Sequence, residues 1–189
     1  VQLLHGHVTT RSVPHCIPGV GQVTLFEGAF DKVTVQQIVA RAGVSRGTFY
    51  ARYRNKDDAL LASLEGMLTS LERGMAQEQP PRLIAAAELL THIGSASRVR
   101  DALAPGGRLE QILDYMGDVL AEQIQRRLGV FAVSPSPPSM PPALAARMLS
   151  AAFMEMLHWW ADRPGRPDAR VMDEEFHRMA RRMLRAGPG

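Results

Sequence analysis

The sequence predicts an all-α protein of about eight or nine helices, with a small helix-turn-helix head at residues 18–61 and a larger helical body at 62–189. Three observations predict it. Apolar residues recur three and four positions apart along most of the chain, with no convincing strand alternation, internal repeat or heptad run. Helix-start residues stand just ahead of those stripes, at Thr34, Ser45 and Asn55. Basic residues crowd toward one end: through Lys56 there are seven lysines and arginines against Glu27 and Asp31, a net +5, which leaves −2 of the total +3 for the remainder.

The elements follow in order. Residues 1–17 read as an irregular leader, and a short first helix follows at 18–28, opened by Pro18 and closed by Gly28. Thr34-Val35-Gln36-Gln37 is a capping box, because the threonine oxygen can accept an early helical N–H while Gln37 reaches back to the cap. Ile38, Val39 and Ala42 then follow at helical spacing, and Gly43 takes the left-handed position that ends a helix. Ser45 caps a second helix after so short a gap that only a sharp helix-to-helix corner fits. Phe49 and Tyr53, four apart, face its core along with Ile38 and Val39, and Arg46, Thr48, Tyr50 and Arg52 are left for the outside.

Asn55 caps a long helix with Asp57 and Asp58 at its positive end and Leu60, Leu64, Met67, Leu71 and Met75 as its stripe, stopped at Pro80-Pro81. Helical regions follow at 82–103, with a break near Gly94, and at 108–128, and the proline-rich stretch 134–142 is an exposed connector. Apolar residues surround the helix at 143–160, whereas the last helix, 168–184, has one stripe of Met172, Phe176, Met179 and Met183.

Composition excludes several classes. The lone Cys16 cannot close an internal disulfide, which suits a reducing cytoplasm, and no apolar run reaches the roughly 18–20 residues that span a bilayer. His5, His7, His15 and Cys16 fall in the proline-broken leader without supporting groups, so no metal site is expected there, and no cofactor is implied. His92, His158 and His177 read as isolated surface or satisfied core histidines. No nucleophile, base and orienting group can be placed together and no phosphate-cradling loop occurs, so an enzyme is not expected. A compact basic head on a mildly acidic body is instead what a sequence-specific DNA binder requires, since phosphate neutralisation supplies much of the affinity.

The run from Leu25-Phe26-Glu27-Gly28 through Thr34, Ala42-Gly43-Val44-Ser45 and Gly47-Thr48-Phe49-Tyr50 to Lys56 resembles the signature of the TetR family of bacterial transcriptional regulators. The resemblance covers about a fifth of the chain closely and implies a head that places its second helix in the major groove of double-stranded DNA. On the residues themselves, Arg46 and Thr48 are first choices for base edges, Tyr50 and Arg52 for phosphate, and Gly47 allows close backbone approach. Ser45 joins them at the start of that helix, and the resemblance adds Thr34 as a phosphate contact. Lys56 is a cation at the first position of a helix, which opposes the dipole unless an anion lies nearby, and DNA phosphate is the expected anion. Family members have a regular basic helix before Leu25; here Val13-Pro14-His15-Cys16-Ile17-Pro18-Gly19-Val20-Gly21 stands in its place, which implies either a shortened first helix with fewer phosphate contacts or a native head that differs at its start.

For the body, the surplus apolar surface predicts a homodimer through Met148, Ala152, Glu155, Met156, Trp159, Met172, Phe176, Met179 and Met183. The resemblance implies a pocket for a small apolar effector, with Met116, Phe153, Met154, Leu157 and Trp160 as its walls. The resulting expectation is a repressor released by a small molecule and bound to a palindromic operator. Its rivals are a helical carrier or enzyme with a vestigial head, and a protein-interaction module using the same basic surface.

Overall fold

The structure is a computed structural model that describes residues 30–75, 80–95, 101, 103–104, 107–131 and 140–185. The expected leader, the first helix and most of the proline-rich connector lie outside the described residues. Among the described residues the chain forms a 3-10 turn, Phe30–Lys32, and seven α-helices, with no strand. The helices are α1 (Val35–Ala42), α2 (Arg46–Tyr50), α3 (Lys56–Gly74), α4 (Ala86–Ser95), α5 (Arg108–Phe131), α6 (Pro142–Ala161) and α7 (Ala169–Arg185). The all-α class holds, with a helix count slightly below the one expected.

Local chemistry sets the starts. The Thr34 hydroxyl accepts the Gln37 N–H at 3.3 Å while Gln37 Oε1 accepts the Thr34 N–H at 2.8 Å, the reciprocal capping box. Gly43 ends α1 at φ 65°, ψ 28°, a left-handed conformation in which a side chain would be strained. Ser45 Oγ accepts the Thr48 N–H at 3.0 Å, and Asn55 Oδ1 accepts the Asp58 N–H at 2.8 Å. Each cap satisfies a donor that the first helical turn leaves open.

Two hydrophobic cores result. The head encloses Ile38, Val39, Phe49, Tyr53 and Ala59, the first four at the positions that helical spacing assigned inward. The body core runs from Leu68 of α3 through Leu89, Leu90, Met116, Leu120, Ile124, Leu149, Phe153, Leu157 and Trp160 to Phe176. Here α6 lies along α5, and α4 lies along α7. Thus α3 is shared: Ala59 near its start is buried in the head and Leu68 further on in the body.

Buried polar groups fasten α4 to α7. The Leu83 N–H donates to His177 Nε2 at 3.1 Å, so that nitrogen carries no proton, and Nδ1 lies 2.8 Å from the Asp173 carbonyl oxygen. His177 is therefore a satisfied core histidine. Asp173 Oδ1 accepts from the Ala87 N–H at 3.2 Å and from Arg82 at 3.4 Å, and Arg82 also holds Glu88 at 2.8 Å. Burial opposes the charge on Asp173, but the His177 ring, the Arg82 guanidinium and the Ala87 amide hold its carboxyl below the usual carboxylate range.

At the far end of the body, a Cβ on Gly94 would stand 2.8 Å from the Trp160 ring and from the Arg166 guanidinium, so glycine is what lets α4 approach. Gly94 lies one residue before the end of α4. Trp160 Nε1 donates to the Pro167 carbonyl at 2.7 Å, and Arg166 covers its ring at 4.2 Å. The turn between α6 and α7 is thereby closed.

Candidate nucleic-acid interface

The corner between α1 and α2 consists of Gly43, Val44 and Ser45, and the Val44 N–H returns to the Val39 carbonyl at 3.1 Å. Phe49, fully buried, anchors α2 from inside, edge-on to Tyr50 with ring centroids 5.4 Å apart and tilted against Tyr53 at 5.3 Å. With that side pinned, Ser45, Arg46, Gly47, Thr48, Tyr50 and Arg52 are all solvent-exposed. Tyr50, although aromatic, is 49% exposed.

Within this surface the side chains organise one another. Ser45 Oγ and Thr48 Oγ1 share a hydrogen bond of 2.9 Å, and the Arg46 guanidinium lies 6.0 Å from the Tyr50 ring centroid. Thr34 is exposed at the start of α1, its hydroxyl engaged with Gln37. The unit is a short helix set across a sharp corner from its predecessor, with hydroxyls, guanidinium groups and a phenol directed to solvent. Such a surface can donate to phosphate oxygens and to base-edge acceptors, and a five-residue helix is short enough to be carried by its corner.

Lys56 departs from the expectation. Its ammonium donates to three backbone carbonyls, Phe30 at 2.9 Å, Asp31 at 2.8 Å and Val33 at 3.1 Å, and lies 4.9 Å from the Phe30 ring centroid. The negative partner demanded by a cation at a helix start is supplied from within the protein, by the 3-10 turn, and all three ammonium protons are taken. Sequence reading found the need and misjudged its source, because the turn lies more than twenty residues away in the chain.

Arg108 was missed altogether. It opens α5, donates to Asp31 at 3.0 Å and to Asp57, and lies 5.1 Å from the Phe30 ring centroid. The signal that drew attention to Lys56, a cation at the first position of a helix, is present at Arg108 too.

The body residues divide. Phe176, expected at a dimer face, is 2% exposed and packs edge-on against Phe153 at 5.5 Å, so it belongs to the core of the single chain. Met148, Glu155, Trp159 and Met179 are exposed, and Ala152, Met156, Met172 and Met183 are half-buried. Met116, Phe153, Leu157 and Trp160, expected around an effector, are packed in the body core. A cavity of about 300 Å³ is an open groove between α5 and α6. Met154 lines it with Leu113, Asp114, Gly117, Asp118, Arg147, Glu155 and His158, giving walls more polar than expected. No group of three metal-ligating side chains occurs among the described residues, and none of the described helices is long and apolar enough to cross a membrane.

Fold and corner together define a helix-turn-helix DNA-binding domain on a helical body. Residues 23–63 match the sequence profile of the bacterial regulatory proteins, tetR family. The chain is also similar in structure to a TetR transcriptional regulator from Streptococcus agalactiae 2603V, with 19% identity, 87% of this chain and 90% of that chain covered, and a TM-score of 0.55. It is similar to the fatty acid degradation regulator FadR of Bacillus halodurans, at 16% identity, 90% and 98% coverage and TM-score 0.56. A third likeness is to the TetR family repressor AlkX of Dietzia sp. strain DQ12-45-1b, implicated in biodegradation of n-alkanes, at 19% identity, 91% and 100% coverage and TM-score 0.52. No curated protein matches the sequence. At these identities the solved structures speak for the fold, and the profile match speaks for the head. The head is a TetR-family DNA-binding domain, and the chain that carries it is a DNA-binding transcriptional regulator.

Proposed function

We propose that this regulator represses transcription by binding a palindromic operator as a homodimer and leaves the DNA when a small molecule binds its body. The observation that carries the reading is the exposed run from Ser45 to Arg52, held outward by a buried Phe49. Arg46 and Thr48 read base edges, Tyr50, Arg52 and Thr34 hold phosphates, Ser45 sets the entry of α2, and Gly47 allows close approach. Lys56 contributes by fixing the 3-10 turn beneath the head.

The dimer forms through the exposed and half-buried stripe of Met148, Ala152, Glu155, Met156 and Trp159 on α6, continued by Met172, Met179 and Met183 on α7. An apolar stripe of this kind is normally covered in a soluble protein. The groove between α5 and α6 is the place for an effector, with Met154 and Leu113 for apolar contact and three carboxylates at its rim. The names of two structural relatives, one a fatty acid degradation regulator and one implicated in n-alkane biodegradation, favour an effector with an apolar part.

The test is a gel shift of labelled DNA from upstream of the protein's own gene, at rising salt and against unlabelled competitor. A discrete complex that weakens steeply with salt and survives an excess of unrelated DNA is expected. Retention unaffected by either salt or competing DNA contradicts the reading.

A further inference from the structure

Phe30 is 2% exposed. Two cations meet its ring, Lys56 from α3 and Arg108 from α5. The guanidinium of Arg108 is divided between two carboxylates, Asp31 in the 3-10 turn that precedes α1 and Asp57 in the first turn of α3. One body side chain therefore holds two head elements at once. An arginine at a helix start opposes the positive end of the dipole, and here that cost is offset by a fork-shaped ion cluster that is 27% exposed at the arginine.

The head needs such a strut. It is joined to the body through α3, whose first residue packed against the body core, Leu64, is eight positions beyond Lys56, about 12 Å along the helix at 1.5 Å per residue. At the end of an arm of that length a tilt of about 10° moves the start of the head by about 2 Å, more than half of the roughly 3.4 Å rise of one base pair. A dimer reading two half-sites thus discriminates spacing only if the tilt is held to a few degrees. Arg108 acts from α5, beside α3, at the level where the head begins.

We propose that Arg108 is a positioning residue that fixes the angle of the head on the body and so determines the half-site spacing the dimer accepts. The proposal rests on the dimeric operator reading above. It assigns Arg108 no contact with DNA: half-site sequence stays with Arg46 and Thr48, and spacing belongs to Arg108.

The experiment is selection of bound DNA from a random pool by the full chain, comparing wild type with Arg108→Ala, Arg108→Lys and Asp57→Asn, each checked for folding by circular dichroism. Wild type is expected to enrich paired half-sites at one spacing. Arg108→Ala should enrich the same half-sites at that spacing and at one or two base pairs either side, lowering the affinity ratio between the best spacer and its neighbours by about tenfold. Arg108→Lys, which keeps the charge and loses the fork, should fall between them, and Asp57→Asn should broaden spacing like the alanine variant. If Arg108→Ala unfolds, the latter two carry the test. A folded variant that keeps the single spacing overturns the proposal alone, as does one that loses the half-site sequence itself. Failure of wild type to enrich any DNA overturns the regulator reading and the proposal together.

Discussion

Replacing Lys56 by methionine keeps most of the apolar stem and removes the ammonium, and the structure gives the consequence a size. Two of the three lost hydrogen bonds, to Phe30 and Val33, are part-buried, and the third, to Asp31, is exposed and reverts to water. At roughly 1.5 kcal/mol for each part-buried charge-assisted bond and about 0.5 kcal/mol for the cation–π contact, the loss is about 3.5 kcal/mol. For a chain of this size that corresponds to a fall in melting temperature of about 7–14 °C. The assay pairs thermal unfolding with the salt dependence of DNA binding. Because the ammonium is committed within the protein, the slope of log K against log salt should be unchanged among molecules that remain folded. A variant as stable as wild type whose slope falls by about 1 per half-site would refute the reasoning and show that Lys56 serves phosphate.

Phe49→Ala empties the centre of the head core and should cost about 3–5 kcal/mol in chemical denaturation, whereas a cost below about 1 kcal/mol would mean that α2 is not anchored as described. Trp159→Glu places a charge on the exposed α6 stripe and should shift micromolar protein to monomer in sedimentation; an unaltered dimer would put the interface elsewhere. Asp173 has a depressed folded pKa, so its stabilisation is fully present above the unfolded carboxyl value of about 3.9 and is lost as pH falls through the folded one. Urea midpoints between about pH 5 and 2 should therefore drop less steeply in Asp173→Asn than in wild type. Glu65 is opposite in sign: burial, then Glu122 and Asp58, raise its carboxyl above 4.5, so the ionised form is disfavoured in the fold. Glu65→Gln should stabilise the protein at pH 7, with the gain disappearing below about pH 4.5, where both states of wild type are protonated.

How much of this was legible in the sequence depends on the range of the interaction. The Thr34, Ser45 and Asn55 caps and the Gly43 stop act within four residues and read directly, as did the burial of Ile38, Val39, Phe49 and Tyr53 from helical spacing. The outward run from Ser45 to Arg52 followed from them. Contacts made across the fold did not read. Arg82 meets Asp173 and Leu83 meets His177 from more than ninety positions apart, and Arg108 reaches Asp31 across seventy-seven. The resemblance implied that Phe153, Leu157 and Trp160 wall a pocket, whereas they lie in a packed core, and apolar residues all round a helix carry no information on whether a void lies beyond a side chain. Phe176 was misplaced for a related reason: it shares the apolar stripe of α7 with Met179, and a stripe does not show which of its members meets the chain's own core.

The most direct test of the central claim is amide hydrogen exchange of the full chain with and without DNA from upstream of its own gene. The account predicts new protection concentrated in residues 34–54, strongest across 45–52, with α6 and α7 unchanged apart from small shifts passed through α3 and α5. Protection confined to the body, or none in the head while the DNA is bound, would contradict it.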